Sequence, residues 1–464
     1  MNQLSRGRRA FLRTSAAFAG AAFTGIPARA AAMNVRPEWA EFRLGTHYAP
    51  LLSAIRKMKA NTNAADPASW AYWTNAHINY CPHGVPYFLT WHRGYLYYFE
   101  QRLRAVCGDQ QLVLPYWNYY ANPQMPNEFL VPSPNNVLYV PRVNTNVQAA
   151  LDWTAFGSSV LQFPRPGSPY FEPILEDGPH NPVHNIIGGA MSDMNSPDDP
   201  IFWLHHANID RLWAAWVAAG AGRAMPAITS TYWSGTHTYA SNLTMARTLT
   251  CNNRTSLNYY YSNETMPLAP AALTATAEAA PVVAAPPAPA AVAISRARSI
   301  GATTFAAVGA SGIGLDQSIN IPLPVPSEHQ GAITRIARGL PSVTLGRSEQ
   351  FKSLRLSLNK VAATEAGMAG GYFYNVWLIV PGAGVTPWGP GRIKAGTLGA
   401  FQIAASHHHT PGTITFDITA MLRDFTPADL STLTVFFERI DGAVSPRGPV
   451  IAIGEARIDM STDE

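Results

Sequence analysis

The chain has 464 residues, more than one ordinary domain needs, and 47% of them are hydrophobic, enough to fill a large core. Its net charge of +4 is too mild to argue for a nucleic-acid partner or an acidic surface. The 3 cysteines make an odd count, so a partner has to be sought for each.

Residues 1–32 read as an export signal. Arg8 and Arg9 are paired, Phe11 and Leu12 follow, and a soft apolar run from Thr14 to Ile26 ends at Ala28-Arg29-Ala30, an A-x-A cleavage site. The arrangement resembles a twin-arginine signal, which implies a periplasmic or secreted protein. The run is too short and too rich in Ala and Gly to span a bilayer, and no other segment resembles a span. No stable membrane association is therefore expected.

Val35 to Ala60 shows a mixed helical pattern that stops at NTNAADP, after which Trp70, Tyr72 and Trp73 lead into His77. His77, His83 and His92 fall within NAHINYCPHGVPYFLTWHRGYLYYFE, and the apolar face from Tyr95 to Phe99 argues for a buried helix. Residues 120–170 are rich in Pro and Asn, lack periodicity, and read as loops.

The stretch HNPVHNIIGGAMSDMNSPDDPIFWLHHANID, from His180 to Asp210, organises the chain. Four residues separate His180 from His184, which places both imidazoles on one helix face. Pro182 is tolerated only in a first turn, so that helix starts near Asn181. SPDDP breaks the chain, and a second helix begins at Ile201. His205 and His206 lie about 100° apart on it, so at most one faces the first pair. Asp210, one turn beyond His206, is placed to fix its ring. Three convergent neutral imidazoles suit Cu, Zn, Fe or Ni. Two such stretches, each feeding buried helices, predict two metal ions in a four-helix bundle. No carboxylate sits at an HExxH-like spacing, which argues against a zinc protease.

Residues 267–293 are almost wholly Ala, Pro and Val, a stiff interdomain linker. Beyond it LRLSL, YFYNVWLIV, GTLGAFQIAA, TITFDI, TLTVFFERI and VIAIGEARI alternate with Gly/Pro turns. That pattern predicts an all-β, sandwich-like domain. The expected plan is a signal at 1–32, a mainly α domain at 33–262, a linker at 263–310 and a β-rich domain at 311–464. His407 to His409 are consecutive and cannot all face one ion, so they read as a solvated loop.

DPIFWLHHANID resembles the second copper signature of tyrosinases, catechol oxidases and molluscan haemocyanins. HNPVH resembles the HNxVH of that family, and HGVPYFLTWHRGYLYYFE its first copper signature. PYWNY at Pro115 to Tyr119 and LNYYY at Leu257 to Tyr261 resemble two further family segments. The resemblance implies two copper ions, one on His77, His83 and His92 and the other on His180, His184 and His206. It implies that His205 points away from the metal, and that Cys81 is joined to His83 by a thioether. Cys107 and Cys251 would then remain for a disulfide. The resemblance further implies that Glu176 and Asn181 hold a water that takes the proton from a phenol, with Glu172 as the competing carboxylate. Asp210 and Asn118 would orient the ligands.

The β-rich part resembles the C-terminal domain of plant polyphenol oxidases, with AGGYFYNVW near one of its motifs. A shielding lid on the copper site follows from that likeness, and Phe373 and Trp388 are the residues read as plugs. The activity implied is O2-dependent ortho-hydroxylation of monophenols and oxidation of o-diphenols to o-quinones. Catechol oxidation alone and haemocyanin-like O2 binding are the competing readings. O2 and small phenols are the implied partners, with a copper chaperone as a candidate and no nucleic acid.

Overall fold

Several helix ends in the first half are set by identifiable residues. The computed structural model describes residues 33–164, 170–270, 292–343, 350–380, 385–386, 389–406 and 411–463. The expected export signal, residues 271–291 of the linker, Trp388 and the His407–His409 run lie outside the described residues.

Helix α1 is Tyr48–Ala60, α2 Trp70–Tyr80 and α3 Phe88–Cys107. The Ser69 hydroxyl accepts from Tyr72 N at 3.1 Å and starts α2. Cys81 turns to extended backbone, ψ 126°, and α2 stops there. Pro82 follows and disfavours helix at the residue before it. At the start of α3 the Glu172 carboxylate accepts from Leu89 N at 3.1 Å and Tyr87 N at 3.4 Å. It thereby caps the helix from another part of the chain. Glycine at position 108, φ +79°, ends α3.

Helix α4 is Asn181–Ile187, with Pro182 in its first turn as expected, and α5 is Ile201–Ala218. From Ile201 to Trp216 every residue of α5 is buried, so this is the central helix. Residues 120–164 hold only single 3₁₀ turns. Around α5 one apolar cluster joins Trp73, Tyr95, Phe99, Phe202 and Trp203. Two short pairings close this half: Asn34–Arg36 runs parallel to Tyr259–Tyr261, and Thr236–Ala240 antiparallel to Leu243–Ala246.

The second half packs two sheets face to face. Strands are β1 Thr304–Leu315, β2 Ile319–Pro322, β3 Ser353–Ala363, β4 Tyr372–Ile379, β5 Arg392–Leu398, β6 Thr413–Asp417, β7 Thr434–Asp441 and β8 Ile451–Ser461. One sheet has the order β5-β4-β7-β2. The other runs β6-β3-β8-β1 and continues to Ala293–Ser295. Helices α6 Ser327–Ala337 and α7 Ala400–Ser406 accompany them.

Two expectations change here. The β-rich part starts before residue 311: Ala293–Ser295, Arg298–Ser299 and β1 all belong to its sheet. Their small residues resemble the Ala-rich stretch before them, which hides the boundary. The run GTLGAFQIAA, read as a strand, is the end of β5 followed by helix α7. Asn34–Glu464 form one compact unit. Among the described residues no helix is long and apolar enough to cross a membrane.

Candidate metal centre

Four helices deliver the histidines. His77 lies on α2, His92 on α3, His184 on α4, and His205 and His206 on α5, while His180 precedes α4 and His83 sits in the loop before α3. The donor atoms of His77, Cys81, His83 and His92 lie within 4.8 Å of one another, and so do those of His180, His184, His205 and His206. All eight side chains are buried.

The spacing fits metal ions. An imidazole nitrogen about 2 Å from an ion leaves neighbouring ligand nitrogens about 3.3–3.5 Å apart. His206 Nε2 is 3.3 Å from His180 Nε2 and 3.3 Å from His184 Nε2, and His77 Nε2 is 3.5 Å from His83 Nε2. The two groups adjoin, with His92 stacked on His206 at 4.3 Å between centroids and His83 on His180 at 5.5 Å.

The opposite ring nitrogens are held by oxygens. Nδ1 of His77 lies 2.8 Å from Met194 O, that of His92 2.8 Å from Phe88 O, and that of His184 2.7 Å from Met191 O. His180 Nδ1 meets Asn181 Oδ1 at 2.9 Å. Each acceptor draws the ring proton to Nδ1 and leaves the Nε2 lone pair facing its cluster. Burial first, then neighbouring imidazoles, hold His92, His180, His184 and His206 well below the ordinary histidine range, so these rings are neutral.

Cys81 Sγ is 3.0 Å from His83 Nε2 and 3.3 Å from His92 Nε2. Glu176 is buried; its Oε1 accepts from Gly84 N at 2.6 Å and lies 3.4 Å from His83 Nδ1. Glu172, the competing carboxylate, is occupied at the start of α3.

Several expected positions differ. His205 does not leave the cluster: its ring stacks on His180 at 5.3 Å and meets His184 at 4.9 Å, with both nitrogens buried and lacking a hydrogen bond. Asp210 does not reach His206. It accepts from Arg93 Nε at 2.6 Å and from the hydroxyls of Tyr259 and Tyr261 at 2.6 Å each, and Arg36 lies 3.7 Å away. Buried arginines outcompete a neutral imidazole for a buried carboxylate. Asn118 is also elsewhere, its Oδ1 3.5 Å from Arg211. Cys107 and Cys251 are unpaired, as is Cys81.

The β-rich part reaches the site through a residue that sequence reasoning missed. Phe401, on α7, stacks on His184 at 4.0 Å and lies 5.0 Å from His83 and 5.6 Å from His180. Its backbone N–H donates to Asn185 Oδ1 at 2.9 Å, and Asn185 Nδ2 donates to Gln402 Oε1 at 2.7 Å. A Cβ at Gly399 would stand 2.5 Å from the Asn185 amide, so only glycine permits this approach. Phe373 is buried in the apolar cluster of the helical half, and among the described residues its ring contacts no histidine ring. The signal for Phe401 was its place in an apolar run directly after a glycine.

Comparison with known proteins agrees with this geometry. The family described as the common central domain of tyrosinase matches residues 52–146 and 130–219. The chain is 36% identical over 220 residues to tyrosinase HcTyr1 of Hahella sp. (strain CCB-MM4), covering 36% of this chain and 46% of that protein. It is 27% identical over 276 residues to a chloroplastic polyphenol oxidase of Malus domestica, covering 46% of each. The chain thus spans about half the length of these curated relatives. A structure of latent apple tyrosinase superposes with a TM-score of 0.51 at 20% identity, over 93% of this chain and 99% of that one, which supports the same fold. Residues 52–219 of this chain match the common central domain of tyrosinase, and the two histidine clusters within them form a dicopper centre.

Proposed function

We propose that this protein uses O2 to hydroxylate monophenols at the ortho position and to oxidise o-diphenols to o-quinones, and that it is held latent by its own C-terminal half. The observation carrying this reading is the pair of adjoining imidazole clusters with Phe401 seated on them. His77, His83 and His92 would hold one copper and His180, His184 and His206 the other. When bound, the copper pair supplies O2 binding and the two-electron chemistry of phenol oxidation.

The chain's own residues do the rest. Nδ1 acceptors hold four of the six rings, and Phe88 and Phe202, at 4.5 Å from His180 and 4.2 Å from His206, keep water from the frame. Glu176, with Asn181, receives the phenol's proton through a water and keeps the carboxylate beside His83. A catechol makes no such demand at its oxidation step. The Phe401 ring occupies the approach to His184, so α7 must withdraw before a phenol enters.

The 3.0 Å separation of Cys81 Sγ from His83 supports the thioether. Its formation would lower the intact mass of the Cys81–His83 peptide by two hydrogens. Export by the twin-arginine route rests on Arg8 and Arg9, and replacing both by Lys should hold the protein inside the cell.

The test is oxygen uptake by copper-loaded protein with a monophenol and with a catechol, before and after nicking within residues 267–293. Uptake with both, rising on nicking, supports the reading. Uptake with catechol only would make it a catechol oxidase. Reversible O2 binding without turnover, in nicked protein holding two coppers, would make it an oxygen carrier.

A further inference from the structure

The ring contacts of the six proposed copper ligands differ in kind between the two ions, although His205, which is not one of the six, meets Tyr119 at 5.7 Å. Among the described residues His180, His184 and His206 touch only phenylalanines and other histidines. On the other side His92 meets Trp91 at 5.0 Å and His77 meets Trp91 and Tyr95 at 6.3 Å each. Phenylalanine resists one-electron oxidation; tryptophan and tyrosine do not.

From Trp91 the oxidisable rings continue outward. Trp91 packs on Tyr239 at 5.0 Å, and Tyr239 on Tyr98 at 5.4 Å. The Tyr239 hydroxyl donates to the Trp91 carbonyl at 3.2 Å, which couples the two residues. Tyr98 is only half-buried, and its hydroxyl donates to Thr244 O at 2.9 Å near the surface. The Trp91 indole N–H is held on Thr238 O at 2.9 Å, so this residue can pass an electron and keep its proton.

We propose that Trp91, Tyr239 and Tyr98 form an electron path from solvent to the copper pair, which drains oxidising equivalents when no phenol can reach the site. The inference rests on the dicopper reading. The need arises from the plug: O2 is small enough to enter a closed site that excludes phenols, and the charged centre would otherwise oxidise its own histidines. In each passage the Tyr98 phenol loses an electron, which travels through Tyr239 and Trp91 to the O2-charged copper pair, and its phenolic proton goes to water. The resulting neutral Tyr98 radical takes one electron and one proton from dissolved ascorbate. Four passages, with four protons drawn from solvent at the metal, convert O2 to two water molecules and oxidise four ascorbates by one electron each.

The test charges the copper-loaded full chain with hydrogen peroxide, without phenol or ascorbate, and freezes it for electron paramagnetic resonance. The expected signal is a tyrosyl radical that narrows when the protein carries ring-deuterated tyrosine. Tyr98→Phe keeps the packing of a half-exposed ring; it should bind the same copper, lose most of that signal, and show severalfold more oxidised ligand histidine by peptide mass spectrometry. Ascorbate should quench the wild-type radical. Equal radical yield and equal histidine oxidation in Tyr98→Phe would overturn the path. So would a wild-type protein that binds two coppers and forms no radical. A protein that binds no copper would instead sink the dicopper reading and the path with it.

Discussion

His206 is one of two rings among the six whose buried Nδ1 makes no hydrogen bond; the other, His83, has only Glu176 at 3.4 Å, while the remaining four meet an oxygen within 2.9 Å. The orientation of His206 therefore comes from packing between Phe202 and His92 and from the metal itself. His206→Ala should lose the second copper, because only two of its three proposed ligands, His180 and His184, remain. His205→Ala should keep both coppers and lose fold stability by about 2 kcal/mol or more, the usual size of a core truncation. Metal analysis beside thermal unfolding checks both outcomes. Glu176 gives a different contrast. General-base help is typically worth about 10²–10⁴-fold. Glu176→Gln should therefore depress monophenol turnover by that order while leaving catechol turnover and copper content nearly unchanged. Equal loss on both substrates in steady-state assays would mean the side chain acts only by propping His83.

Helix α7 shows what a pattern can hide. Its burial alternates along the chain from Phe401 to Ser406, the signature of a strand, yet the segment is helical. The reason is its position between two cores: Phe401 and Ala405 join the apolar cluster of the helical half, and Ile403 joins that of the sheets. With both sides buried, the 3.6-residue period disappears. Helix α4 was legible for the opposite reason, since Pro182 and the spacing of His180 and His184 fix its start and its face. Asp210 was misread because spacing places it near His206 but cannot reveal that Arg36 and Arg93 arrive from distant parts of the chain. The plug makes a prediction at this scale. Phe→Ala changes in a packed site cost about 3–5 kcal/mol. If about half of that falls on the closed state alone, Phe401→Ala should raise catechol kcat/KM by about 10–100-fold, at about 1.4 kcal/mol per factor of ten. Oxygen uptake by the unnicked variant, at equal copper content, measures it.

Across the whole molecule the two halves meet through polar clasps as well as the plug. Asn144 donates to Val444 O at 2.8 Å and accepts from Val444 N at 2.6 Å, Asn185 O accepts from Gly371 N at 2.7 Å, and Lys394 reaches Asp152 at 2.5 Å. Such an interface can open as a unit without unfolding either core. The stacking of Phe401 on His184 then has a second consequence, for the metal rather than the substrate. A ring that stands between His184 and solvent also stands in the way of a chelator, and a ligand held still by its cover lets go of an ion slowly. The closed chain should surrender copper to an external chelator more slowly than protein nicked within residues 267–293, and Phe401→Ala should fall with the nicked form. The segment that delays activity would then also be the seal that preserves the metal until activity is wanted.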